Sequence, residues 1–330
     1  MDILRWPAFC VIEHKVLREF GLCVKICPGS KVREYRPVEY ALWKAVVEVL
    51  TGLPQRRRSA RQAFGDCEIA AVYFWAVVHD RPVSWACCPV NWPIHRRCHH
   101  LPSSATMSRR LRTASVLTLL QALERHVGAP REGVMFWMVD GKPLPIGGCS
   151  KDRQAGYGRA AGGKAKGYKI HVIAAADGSI AAWRLAPMNK DERVMAGRML
   201  KSTPLGGYLV ADANYDSNPL HAICDKQGDL QLVTPRRYGP GRGTGHKRQT
   251  PGRLRSISLT ESPIPGFAQR LMTDRSAIER CFGNMTNWWA GLSCLPAWVR
   301  TYHRVHLWVQ AKLTLNAIKR WPPTWTYVNS

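Results

Sequence analysis

Two short apolar runs in this chain each lead into an aspartate, and they restrict the fold more than any other feature. MFWMV precedes Asp140, and YLVA precedes Asp212. Runs of that length read as buried strands. Around them, strand and helix patterns alternate from about residue 131. Strands are expected at 134–140, 167–175, 179–186, 207–212 and 229–234, with helices at 191–200 and 217–226 as crossovers. The Asp177-Gly178 step marks a hairpin between the second and third strands. This order predicts a mixed α/β sheet flanked by helices, with the Asp140 strand beside the Asp212 strand. Such sheets place their working groups at the carboxyl ends of neighbouring parallel strands.

A third acid completes a set. Glu279, in DRSAIERCFGNM, lies in a segment with helical apolar spacing, one turn after Arg275. Carboxylate oxygens suit Mg²⁺, and two metals can clamp an in-line phosphoryl transfer. Asp140, Asp212 and Glu279 are therefore the candidate catalytic and metal-ligating residues. The expected cofactor is a pair of Mg²⁺ ions, with Mn²⁺ able to substitute. Other acids read differently: Asp216 and Asp191 as helix N-caps, Asp152 and Asp177 as turn residues.

Charge points to the partner. Lys and Arg number 48 against 23 Asp and Glu, a net charge of +25. A surplus of that size fits a polyanion, because neutralised phosphates release their counterions. The stretch 235–265 lacks periodicity and is rich in Gly, Pro, Arg and Lys (RRYGPGRGTGHKRQTPGRLR). It reads as a DNA-ordered arm, with a flexible surface loop as the alternative. Its candidate DNA contacts are Arg236, Arg237, Arg242, Lys247 and Arg248. Lys169 and Arg275 are further phosphate candidates. His171, on the same strand face as Lys169, reads as a core histidine.

Residues 1–130 form a mainly helical region, for DNA binding or assembly. Helices are expected at 38–53, 60–78 and 106–127, the last with three arginines in its first turns. No apolar run approaches the roughly 18–20 residues of a membrane span. Nothing directs the chain out of the cytoplasm, where a nucleoid-associated protein would act. Eleven cysteines without framework spacing read as reduced thiols. Cys87, Cys88, His95 and Cys98 are crowded for a zinc site, which needs two spaced ligand pairs.

Four motifs in order then carry a family likeness. VDGKPLPIGG, GYKIHVIAAADGSIAAWRLAPMNKDE, YLVADANYDS and DRSAIERCFGNMTNWWAGL resemble the catalytic domain of bacterial insertion-sequence DDE transposases, across roughly residues 134–318. The resemblance implies a ribonuclease H-like domain at 131–330, carrying the basic insertion at about 235–265. It also implies binding to inverted-repeat ends and target sites of double-stranded DNA, strand cleavage and strand transfer, and a homodimer or larger assembly on DNA. The fuller family signature has Tyr three residues before the Arg and Lys seven after the Glu. Here those places hold Met272 and Thr286. Two other readings stay open: a decayed or repurposed transposase that only binds DNA, and a ribonuclease H-like nuclease.

Overall fold

A computed structural model describes residues 37–58, 62–93, 100–146, 150–237, 248–261, 266–274, 276–287, 291–292 and 294–320. The chain divides into two compact units, Met1–Leu123 and Glu124–Ser330.

The first unit is helical. α1 (Pro37–Gly52), α2 (Asp66–Val78), α3 (Val83–Ala86), α4 (Ser104–Arg110) and the start of α5 (Ala114–Gly128) follow in order. Its centre is aromatic. Trp43, Trp75 and Trp92 meet with ring centroids 4.7–5.5 Å apart. Each indole N–H donates to a carbonyl, of Ala71, Asn91 and Ala86 respectively. That satisfies the polar atom which burial would otherwise leave costly.

The helix expected at 106–127 is two helices. Thr113 turns its hydroxyl onto the Arg110 carbonyl at 2.7 Å, and the chain restarts at Ala114. A hydroxyl that bonds its own backbone competes with helix continuation. The break also changes the arginines: Arg110 is committed to Asp66 and to the Phe64 carbonyl, while Arg109 and Arg112 are exposed.

The second unit is built on a six-stranded mixed sheet. β1 (Phe136–Pro145) lies between β3 (Gly163–Ala175) and β5 (Gly207–Val210), and β6 (Leu230–Val233) follows β5. β3 also pairs with β2 (Gly156–Ala160) and with β4 (Ile180–Pro187). β1–β3 and β3–β4 are antiparallel, whereas β1–β5 and β5–β6 are parallel. Gly178, at φ +81°, makes the expected hairpin turn between β3 and β4.

β1 runs five residues beyond Asp140, because Gly141–Pro145 keep their antiparallel partners on β3. β2 had no counterpart in the expected strands. One sheet face carries Trp137, Val139, Ile173 and Leu209 against α6 (Glu192–Ser202) and α7 (Asn218–Asp225). The opposite face carries Val210, Val233 and Phe136 against Leu271, Leu259 and Met272.

Those last residues belong to α8 (Pro251–Glu261) and α9 (Phe267–Asp274), which precede α10 (Ser276–Asn287) and α11 (Tyr302–Arg320). α8 lies inside the stretch expected to be aperiodic. Pro at its first position and tertiary ion pairs make the helix, not an apolar stripe. α11 is buried on nearly every side, and its Gln310 donates to Glu124 at 2.8 Å. No helix among the described residues is long and apolar enough to cross a membrane.

Candidate active site

Register brings the two aspartates together. The parallel β1–β5 ladder pairs Trp137 with Leu209 and Met138 with Val210. Asp140 and Asp212 each lie two residues beyond that last pair, at the carboxyl edge. A side-chain period of two gives both the orientation of their paired residues.

Asp212 leaves the strand at once. Its carboxylate caps the 3₁₀ turn Ala213–Tyr215, accepting from the Asn214 N–H at 2.9 Å and from Asn214 Nδ2 at 3.2 Å. Asp140 stays in the strand, half-buried, and accepts from the Gly141 N–H at 2.7 Å.

Tyr215, three residues after Asp212, is fully buried in the core on the α6 side. Its hydroxyl has no hydrogen-bond partner among the described residues. Burial, then the negative charges of Glu192, Asp140, Asp212 and Asp191, push its phenol well above the usual range. Sequence reasoning did not single out Tyr215 or Glu192, because only the fold buries the one and sets the other against Lys169.

Glu279 occupies the first turn of α10, which packs against β1. Ile278, Cys281, Phe282 and Met285 form its buried face, and Glu279 is exposed. Among the described residues, no three His, Cys, Asp or Glu side chains are gathered closely enough to hold a metal ion. The two aspartates nevertheless suit a divalent cation. Both are carboxylate oxygen donors placed two residues beyond the same ladder pair, and hard oxygen ligands suit a cation such as Mg²⁺.

Lys169 does not share their face. A Cβ added at Gly141 would meet both Lys169 and His171, so these two flank Gly141 and lie across the sheet from Asp140. Lys169 Nζ is 2.5 Å from Glu192 Oε1. A shallow polar cleft there is lined by Lys169, Lys190, Asp191, Glu192, Arg193, Asn214 and Arg237. His171 is buried in the core as expected, although neither ring nitrogen has a hydrogen-bond partner among the described residues; burial, with Lys169 nearby, holds it at about 4. Asp191 caps α6 as expected, accepting from the Arg193 N–H at 2.8 Å.

The basic candidates separate. Arg236 forms a two-nitrogen ion pair with Glu261, and Arg248 is exposed. Arg242, Lys247 and Arg275 lie outside the described residues, as do His95 and Cys98 of the zinc candidates. Cys87 and Cys88 are free thiols. Asp216 is not the cap of α7. Ser217 holds that position, and Asp216 is buried against Arg253. Met272, where the family signature has Tyr, packs against the cluster of Val210, Val233 and Leu271.

Comparison with known proteins gives the family. Residues 136–314, more than half of the chain, match the family model described as transposase DDE domain. A search of curated proteins finds no match. The match spans both aspartates, Glu279 and the sheet that carries them, with the ribonuclease H-like strand arrangement described above. The chain belongs to the DDE transposase family.

Proposed function

We propose that this protein is an insertion-sequence transposase that binds the ends of a mobile element, cuts DNA there and joins the freed 3′-hydroxyls to a target. The observation that carries this reading is the register of the parallel β1–β5 ladder, which leaves Asp140 and Asp212 each two residues beyond the Met138–Val210 pair. Asp140 with Asp212 would hold one Mg²⁺, and Asp140 with Glu279 a second. Bound there, the ions supply Lewis-acid charge to in-line phosphoryl transfer.

The chain's own groups do the positioning. Two bonds from Asn214 fix the Asp212 carboxylate, and the buried Tyr215 anchors the end of the same turn in the core. Arg237, in the neighbouring cleft, supplies positive charge for a DNA phosphate, and Lys169 would reach one by exchanging its Glu192 partner. In this reading the exposed arginines of the helical unit, Arg109 and Arg112, contact DNA or serve assembly. The active form is a homodimer or larger, since two ends must be joined, and it works at the nucleoid in the cytoplasm.

A second reading has a specific observation behind it. Met272 is used for packing where the signature has Tyr, which fits a transposase retained as a DNA-binding protein. Nicking of supercoiled plasmid with Mg²⁺ or Mn²⁺ separates the two. Metal-dependent nicking by wild type and none by Asp212→Asn supports the transposase. A shift of DNA by both proteins, with no nicking by either on DNA carrying the element's own ends, supports the binder. Nicking without any joining of ends to target leaves a ribonuclease H-like nuclease.

A further inference from the structure

The 3₁₀ turn Ala213–Tyr215 has an aspartate at each end. Asp212 caps its start, and Asp216 closes it, the Asp216 N–H donating to the Ala213 carbonyl at 3.3 Å. The two carboxylates make different bonds. Asp212 is bonded by Asn214, a residue of the polar cleft. Asp216 receives Arg253 Nε and Nη2, each at 2.7 Å, and the Arg237 N–H at 3.1 Å. His221 Nε2 stands 3.6 Å away. Side-chain exposure is 2% for Asp216, 6% for Arg253 and 0% for His221.

Arg237 and Arg253 are the two roots of the basic stretch, on either side of residues 238–247. One carboxylate therefore ties both roots to the turn that carries Asp212. Further bonds run the same way: Thr250 N–H to Asn218 Oδ1 at 3.3 Å, Gly252 N–H to Asp225 Oδ2 at 3.0 Å, and Arg255 to Asp225 at 2.7 Å. A buried ion pair is a poor device for stability alone, because apolar packing of the same volume does as well or better. Its directional bonds do select one register of the parts they join.

We infer that Asp216 is a positioning residue for DNA: it locks the roots of the basic stretch to the catalytic turn and so holds Arg237 in the cleft beside Asn214 and Asp212. The ligand at that cleft is a backbone phosphate of the DNA strand, next to the one that reacts. The inference rests on the transposase reading for its DNA, though the clamp itself does not.

Two measurements on the full chain test it, with Asp216→Asn and Arg253→Lys as parallel variants. Arg253→Lys keeps the charge and loses the fork, so it serves if the first variant fails to fold. In the free protein, amide hydrogen exchange should quicken about tenfold or more at 212–216, 236–237 and 248–256, with β3 unchanged. Quickening at only one root, or equally across β3, overturns the clamp.

The second measurement is DNA affinity against salt. Arg237→Ala should lower the slope by about one in the wild type and by nothing further in either clamp variant. An equal fall in both backgrounds overturns the positioning role. If the wild type binds no DNA at any salt concentration, the transposase reading fails, and the exchange result still decides the clamp.

Discussion

Asp140 and Asp212, far apart in sequence, reach one edge of the sheet because Met138 pairs with Val210 in a parallel ladder two residues earlier. From that pair the two chains part. Asp140 continues in an antiparallel ladder with β3, while Asp212 turns into a 3₁₀ cap. One aspartate is thus held by sheet, the other by a turn whose second end is tied to Arg253. Strand pairing fixes where the first lies; the turn decides how the second is aimed.

Asp140→Asn and Asp212→Asn should each lower metal-dependent nicking about 10³-fold or more, since the lost charge stabilisation is several kcal/mol and each 1.36 kcal/mol is tenfold. Thermal unfolding should move little, because both carboxylates are only half-buried and at position 212 the amide oxygen can still accept from the Asn214 N–H. Glu279→Gln should match them in rate if α10 delivers its carboxylate to the same edge. Full activity in Glu279→Gln would remove it from the chemistry.

Gly207 opens β5 at φ +86°, and a Cβ there would sit 2.1 Å from the Met135 carbonyl oxygen. That carbonyl accepts the Tyr208 N–H at 2.8 Å, a bond that starts the β1–β5 ladder. Gly207→Ala should therefore cost about 2 kcal/mol or more. It should also slow nicking, since it displaces the strand that leads to Asp212. Urea unfolding followed beside the nicking rate checks both; an unchanged midpoint would show that the strand start tolerates the side chain.

Tyr215→Phe removes a buried hydroxyl that has no partner among the described residues. An unsatisfied polar atom costs desolvation without return, so the variant should be neutral or more stable by about 1 kcal/mol. A clear loss of stability in thermal unfolding would mean that the hydroxyl is bonded through buried water.

Much of the sheet was legible because its signals are local. The apolar runs before Asp140 and Asp212 and the Asp177-Gly178 turn each name an element within ten residues, and Ile278, Cys281, Phe282 and Met285 mark the buried face of α10. What escaped depends on partners distant in sequence. α8 has little apolar periodicity, and Arg253 and Arg255 hold it through Asp216 and Asp225. Lys169 reads from the strand pattern as a phosphate contact, and only the fold sets Glu192 against it. Asp216 resembled a helix cap by position alone, and only the return of the chain at Arg253 gives it another task.

The helical unit should be acid-sensitive through His79. Burial, then the positive charge of Arg81, holds this imidazole at about 4, although Glu39 Oε2 lies 3.3 Å from its Nδ1 and would favour protonation. Burial wins because the ring lies against Trp75 and Trp85, at 4.2 and 5.1 Å between centroids. A histidine depressed in the folded state binds its proton more readily when unfolded, near pH 6.5. Its stabilising effect is thus whole above pH 6.5 and is lost as pH falls from there towards 4. Between pH 7 and pH 5 the loss should be about 2 kcal/mol. His79→Gln should remove most of that pH dependence. Urea unfolding followed by tryptophan fluorescence at the two pH values measures it. An equal acid loss in wild type and variant would place the sensitivity elsewhere, whereas a smaller loss in the variant would assign it to this ring.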